Sequence, residues 1–223
     1  MRVSREQVAA NKRLILEAAG RLFREHGFES VTVADVMKAA GLTHGGFYGY
    51  FASKDELIAA ALADVLSHRP EPSGDMAAYA AGYLSTTHRD NRANGCPTAA
   101  LASETIRLVG DPRTEMTIGI KKQLARLSRI APGETTAEQR QAAIGNWAAM
   151  VGAMIMARVS DDPVLSSEML DQTQAWLSEK ATRRGHGEHE LGSANVGDFA
   201  SGPVMDQLAI VLDQEPVSTG SRR

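Results

Sequence analysis

The stretch from Thr43 to Phe51, THGGFYGYF, gathers hydroxyl, imidazole and aromatic side chains on a glycine-rich backbone. Phe47 and Phe51 are four residues apart, so in a helix they share one face and point inward with Val33, Val36 and Leu42. His44, Tyr48 and the bare backbone at Gly45 and Gly49 then face outward, with Thr43 at the start. Such groups on a short exposed helix suit hydrogen bonding to base edges or phosphate oxygens. Taken singly, each has an ordinary alternative: Tyr48 and Tyr50 as core or rim aromatics, His44 as a solvated histidine. A second chemical candidate is Cys96, at the start of a helix beginning near Pro97 or Thr98, where the helix dipole favours a thiolate. No Lys, Arg or His adjoins it in sequence, which fits an inert, half-buried thiol instead. Being the single cysteine, it excludes an internal disulfide framework and a multi-cysteine zinc site. The chain shows no Gly-rich phosphate loop, metal-spaced His pair or nucleophile elbow, so neither an enzyme nor a cofactor or metal is expected.

The elements that position these residues follow from composition and punctuation. Ala, Leu, Met, Glu, Gln and Arg dominate, aromatics make up 5%, and β-branched residues never alternate over a long stretch, so the fold class is all-α. Helical spacing of Val8, Ile15, Ala19, Leu22 and Phe23 predicts a first helix ended by Gly27. Thr32-Val33-Ala34-Asp35 has capping-box form and opens a second helix, to about residue 40, ended by Gly41. A short third helix over 43–50 follows, and Ser53-Lys54-Asp55-Glu56 is another capping box that opens a fourth. Helices two and three, joined through Gly41-Leu42, have the dimensions of a helix-turn-helix. The Pro- and Gly-dense run 69–74 marks a domain boundary. Further helices are expected over about 75–89, 98–109, 112–130 with Asp111 as cap, 136–159 and 163–180. Residues 182–223 read as a flexible tail, Gly- and Ser-rich, with one amphipathic helix over 203–213.

The segment from about 9 to 69 resembles the DNA-binding domain of the TetR family of bacterial transcriptional regulators. The resemblance lies in ILEAAGRLFREHGFESVTVADVMKAAGLTHGGFYGYFASKDELIAAAL, and most specifically in LFREHGF, TVADVMKAAGLT and FYGYFASKDEL. It implies that Thr32, Lys54 and Tyr48 contact phosphate and that Thr43, His44, Gly45, Gly49 and Tyr50 lie at or near the groove. Phe47 is counted in this DNA-contacting set although its spacing turns it inward. Physically, Thr32 and Lys54 sit at helix N-termini, where free N–H groups and the dipole favour an anion. Neither Thr43, His44 nor Tyr50 is a bidentate base reader, so DNA shape is expected to share in specificity. Three glycines, Gly45, Gly46 and Gly49, depart from the usual pattern: either the helix is loose until it meets DNA, or its backbone approaches the groove closely.

Residues 75–181 are expected to form an effector-binding and dimerisation domain, because a helix-turn-helix needs a symmetric partner to span two half-sites. The stripes Ile144, Trp147, Val151, Ile155, Val159 and Leu165, Met169, Leu170, Trp176, Leu177 supply the homodimer interface, shared with intrachain core. Tyr79, Tyr83, Met116 and Met150 are candidates for lining an effector cavity, each Met having plain core packing as its alternative. The resemblance also extends to the Cys96 segment, which is similar to one in family members that respond to electrophiles or oxidants. A net charge of −3 excludes coating of nucleic acid by bulk positive charge but leaves site-specific binding open. The apolar run Trp147–Ala157 is short of the roughly 20 residues of a membrane helix, and the basic N-terminus lacks a signal h-region, so a cytoplasmic protein without membrane contact is expected. The expected function is a dimeric repressor released from a palindromic double-stranded DNA operator by a small-molecule or electrophile effector. The alternatives are a helical enzyme and a protein-interaction module.

Overall fold

Ser4 accepts a hydrogen bond from the Gln7 amide and so starts the first helix, α1 (Arg5–His26), three residues before its apolar stripe. The computed structural model describes residues 4–184. Gly27, at φ 84°, ends α1 and turns Phe28 back edge-on to Phe23, with ring centroids 5.3 Å apart. Thr32 and Asp35 form the expected reciprocal capping box of α2 (Val33–Ala39). Gly41, at φ 72°, makes the turn into a 3₁₀ helix, His44–Gly49, and Ser53 caps α3 (Lys54–Ser67). Ile15, Phe23, Val36, Met37, Phe47, Phe51, Leu57 and Leu62 close a first core between these helices.

Beyond the 68–75 connection, the single helix expected over 75–89 is broken. Asp75 caps α4 (Met76–Tyr83), and the Ser85 hydroxyl then accepts from the His88 amide to start α5 (Thr86–Asp90). Ser85, Thr86 and Thr87 supply local hydroxyls that compete with helix continuation, and Leu84 is buried as the chain turns. A 3₁₀ turn, Arg92–Asn94, leads to α6 (Pro97–Thr105), which stops four residues before the expected end as the exposed residues Ile106 and Val109 turn outward. Three long helices follow: α7 (Asp111–Ser128), α8 (Thr136–Val159) and α9 (Pro163–Arg184). Gly110 rather than Asp111 precedes α7, and a Thr135–Glu138 capping box opens α8 at its expected residue. No strand occurs among the described residues.

A second core, including Tyr83, Cys96, Leu127, Trp147, Met150, Met154 and Leu170, lies among α4, α7, α8 and α9. The two cores are bridged where α7 crosses α3. A Cβ added at Gly119 would lie 2.6 Å from Leu66 Cδ1 and 2.8 Å from Leu66 Cβ, so only glycine permits this approach. By length and composition, α8 is long enough, and its best 18-residue window apolar enough at a mean hydropathy of 1.3, to cross a membrane, a property the shorter Trp147–Ala157 run conceals. Its Ala143, Trp147, Met150, Ala153, Met154 and Ala157 face is buried in the second core, the ordinary position of a core helix. The helix expected over 203–213 and the tail around it lie outside the described residues.

Candidate nucleic-acid interface

The outward face of His44–Gly49 is built by what lies beneath it. Phe47 is 1% exposed and stacks on Phe51 at 5.8 Å and 28°, while Tyr48 sits edge-on to Phe47 and is 74% exposed. Thr43, His44, Gly45 and Gly49 are exposed as well. No atom approaches within 4 Å of where a Cβ would stand at Gly45 or Gly49, so their peptide groups are sterically open on that side. Tight i, i+3 bonds, Gly46 N–H to Thr43 O at 3.0 Å and Tyr50 N–H to Phe47 O at 2.8 Å, make the segment 3₁₀ in form. Phe47 must be taken out of the contacting set: its ring is enclosed by the core, and its part is to hold Tyr48 outward.

Tyr50 is half-buried and its hydroxyl accepts from Asn11 Nδ2 at 2.8 Å; Asn11 Oδ1 in turn accepts from Gln7 Nε2 at 2.8 Å. The tyrosine therefore braces the reading segment against α1. Lys12 Nζ lies 5.1 Å from the Phe51 centroid, which anchors a cation on the same flank. Thr32 is exposed, but its hydroxyl donates to Asp35 Oδ2 at 2.6 Å and accepts from the Asp35 amide at 3.1 Å. The side-chain and backbone bonds that Thr32 gives to the Asp35 carboxyl hold it below its ordinary range. Lys54 stands half-buried at the first position of α3, and the α3 cap bonds are made by Ser53 and Glu56. Neither the Asn11–Tyr50 brace nor the Lys12–Phe51 contact was legible in the sequence, because α1 and the aromatic run share a flank only through the tertiary fold.

The other expected residues divide between the two cores. Cys96 is 1% exposed and occupies the N-cap of α6, where its amide donates to His88 Nε2 at 2.9 Å. His88 Nδ1 lies 2.6 Å from Tyr83 O; with Nε2 accepting, the ring is the neutral Nδ1–H tautomer. Burial pushes the His88 pKa down, with Arg158 and Arg69 adding to the effect beyond the opposing bond to Tyr83. The fold thus places basic groups beside a thiol that has none in sequence. Burial pushes the Tyr79 phenol up, and burial with the neighbouring Cys96 pushes Tyr83 well up. Tyr79 Oη accepts from Gln123 Nε2 at 2.9 Å, whereas the buried Tyr83 Oη has no aligned partner. Both tyrosines line a cavity of about 300 Å³ with Arg69, Ser73, His88 and Asn94. Met116 and Met150 are not in its wall. Met116 packs into the first core because α7 crosses α3, and Met150 is sealed in the second. No group of three His, Cys, Asp or Glu side chains suited to a metal occurs among the described residues.

A glycine-hinged helix pair, carrying an outward tyrosine over a phenylalanine-packed core, is a helix-turn-helix head. Residues 15–61 match the family described as bacterial regulatory proteins, tetR family. The chain is 36% identical over 63 residues to the uncharacterized HTH-type transcriptional regulator YvdT of Bacillus subtilis (strain 168), covering 28% of this chain and 32% of the relative. It is 37% identical over 62 residues to the HTH-type transcriptional regulator TtgR of Pseudomonas putida, covering 28% and 30%. The match thus spans about a third of the length of these curated relatives. Likeness of fold extends further. E. coli NemR in its reduced form superposes with a TM-score of 0.60 at 23% identity, covering 76% of this chain and 96% of NemR. A TetR transcriptional regulator from Chloroflexus aurantiacus J-10-FL gives 0.62 at 20% identity, covering 80% and 97%. Residues 15–61 are thus similar to the head that this family's model describes, and the fold of the described residues is similar to that of the TetR regulators compared.

Proposed function

We propose that this chain is a sequence-specific DNA-binding transcriptional regulator, with a reading head over residues 9–69 and a helical effector and dimerisation domain over 75–181. The observation that carries the reading is the 74%-exposed Tyr48 beside the open backbone of Gly45 and Gly49, held outward by buried Phe47 and Phe51. Tyr48 and Lys54 are assigned to phosphate, and Thr43 and His44 to the groove, which positions the head without strong single-base discrimination. Thr32 contributes first as the cap of α2, and its phosphate contact requires its hydroxyl proton to leave Asp35. Tyr50 acts as a brace whose O–H is still available to donate.

A homodimer through α8 and α9 is supported by the apolar side chains these helices leave outside the core: Ile144 is 47% exposed, Val159 78% and Leu165 41%. Two heads at fixed separation would then meet an inverted repeat in duplex DNA. Repression relieved by a small effector follows if the effector favours the dimer form whose heads are wrongly spaced. Cys96, at 1% exposure, supports a thiol that meets reagents only when the 88–96 segment opens. The relatives carry regulator names, which lends no support to the helical enzyme or the interaction module.

A footprint on DNA flanking the chain's own gene tests the reading. Protection of an inverted repeat at moderate salt is expected. Tyr48→Ala with Lys54→Ala should weaken binding across all sequences by at least about tenfold and lower the salt slope by about 1, the share of the lysine charge. Undiminished affinity in that double variant overturns the assignment of these residues.

A further inference from the structure

Three guanidinium groups lie near Cys96, and two of them, outside the wall of the cavity beside it, bond to carbonyl oxygens. Arg24 Nε donates to Ala93 O at 2.6 Å; Arg158 donates through Nε to Arg89 O at 3.1 Å and through Nη2 to His88 O at 2.8 Å. Arg69 enters the cavity wall and forms no ion pair among the described residues. Burial works against its charge, but the Cys96 side chain, by its charge and a hydrogen bond, and the phenols of Tyr79 and Tyr83 outweigh it, so its pKa is raised. The wall, which includes Arg69, Tyr79, Tyr83, His88 and Asn94, contains no Asp or Glu.

The remaining hydrogen-bonding capacity of this wall is mainly that of donors. Tyr83 is 5% exposed and gives the wall its ring; its hydroxyl is buried against the Cys96 thiol without an aligned partner and is closed to a ligand. Tyr79 Oη already accepts from Gln123, which leaves its O–H to donate. Both nitrogens of neutral His88 are engaged, so it offers an edge and no charge. The Arg69 guanidinium and the Tyr79 phenol donor, beside two aromatic faces whose centroids are 6.1 Å apart, match an acceptor-bearing anion with an apolar body. The adjoining cavity of about 420 Å³ shares Arg69, Asn94 and Gly95, but its wall mixes Arg21 and Arg24 with Glu17 and Asp64 and holds no aromatic face for an apolar body.

We propose that the Arg69–Tyr79–Tyr83 cavity binds a small organic carboxylate, its carboxylate on the Arg69 guanidinium and the Tyr79 hydroxyl and its hydrocarbon part against the rings. This deepens the effector half of the regulator reading and rests on it. Arg69 lies two residues beyond the end of α3, so a ligand drawing on that side chain pulls on the helix that carries the reading head.

The test uses the full chain, with benzoate and hexanoate as probes and benzamide and hexanamide as neutral isosteres, followed by calorimetry and thermal melting. At least one carboxylate should bind and raise the melting temperature, with its amide about tenfold weaker. Arg69→Gln should weaken the carboxylate by about tenfold or more, and Tyr79→Phe by several-fold, the latter keeping the test decisive if the arginine variant misfolds. Equal binding of acid and amide, affinity unchanged in either folded variant, or no binding of either acid at millimolar concentration overturns the proposal. A parallel gel shift on the protected repeat separates the two failures: DNA binding without carboxylate binding sinks only the ligand class, whereas absence of DNA binding sinks the regulator reading itself.

Discussion

Around Phe47 the head is filled by rings and branched aliphatics, and every buried polar side-chain atom without a hydrogen-bond partner among the described residues lies elsewhere. Around Cys96 the larger helical region encloses Gln123, Arg126 and Ser166, and four polar atoms there have no partner: Tyr83 Oη, Arg126 Nε, Trp147 Nε1 and Arg158 Nη1. A buried unpaired donor costs about 1–3 kcal/mol, a cost that a bound molecule with acceptors can relieve. A close-packed apolar core offers no such gain and holds its geometry. The difference teaches a division of labour: the head is fixed by packing, as the proposed DNA contact requires, and the larger helical region carries unmet hydrogen-bonding demand.

The largest effect that can break this comparison is in the head. Phe47→Ala should cost about 3–5 kcal/mol in denaturant unfolding and abolish DNA binding, although its ring reaches no DNA. A loss of DNA affinity with stability untouched would return Phe47 to the contacting set. Tyr83→Phe should move the opposite way, stabilising the unliganded protein by up to about 1–3 kcal/mol because the hydroxyl it removes is buried and unpaired. Destabilisation on that change would mean that the second core is as fully satisfied as the first. Thr32→Ala removes the α2 cap and should cost about 1 kcal/mol in thermal or chemical melts, with Tyr48 exposure unchanged.

The smallest effect is the dependence on pH. Because the folded His88 pKa is lowered, its contribution to stability is full above the unfolded value, near 6.5, and is lost as pH falls through that value toward the folded one. Protonation also removes the acceptor of the Cys96 amide. Melting temperature should therefore fall on mild acidification, and His88→Asn should flatten that dependence. An unchanged slope in the variant would assign the acid sensitivity to other groups.

The head was legible because its determinants are local. Thr32 and Asp35, Gly41, and Phe47 with Phe51 act over three or four residues, so spacing alone ordered α2, the turn and the inward ring pair. The same locality made Thr136–Val159 readable to the residue. The form of the third segment was not readable, since three glycines tolerate either helix type and the packing of Phe47 and Phe51 decides. The 75–89 stretch misled because Ser85 caps a new helix in a run that otherwise keeps helical composition. Around Cys96 the two tyrosines were readable as cavity candidates but their meeting with the thiol was not: Arg69, His88 and Tyr83 stand 27, 8 and 13 positions away and meet it only in the fold. Met116 went to the other core for the same reason, through a helix crossing that leaves no periodic mark in the chain.

That crossing bears on how a signal travels. With no methyl at Gly119 to hold them apart, the backbone of α7 rests directly on Leu66, near the end of the helix that follows the reading segment. There is no slack layer between the two rods at this point, so the proposed signal would cross from one to the other by direct contact, as through a keyed shaft.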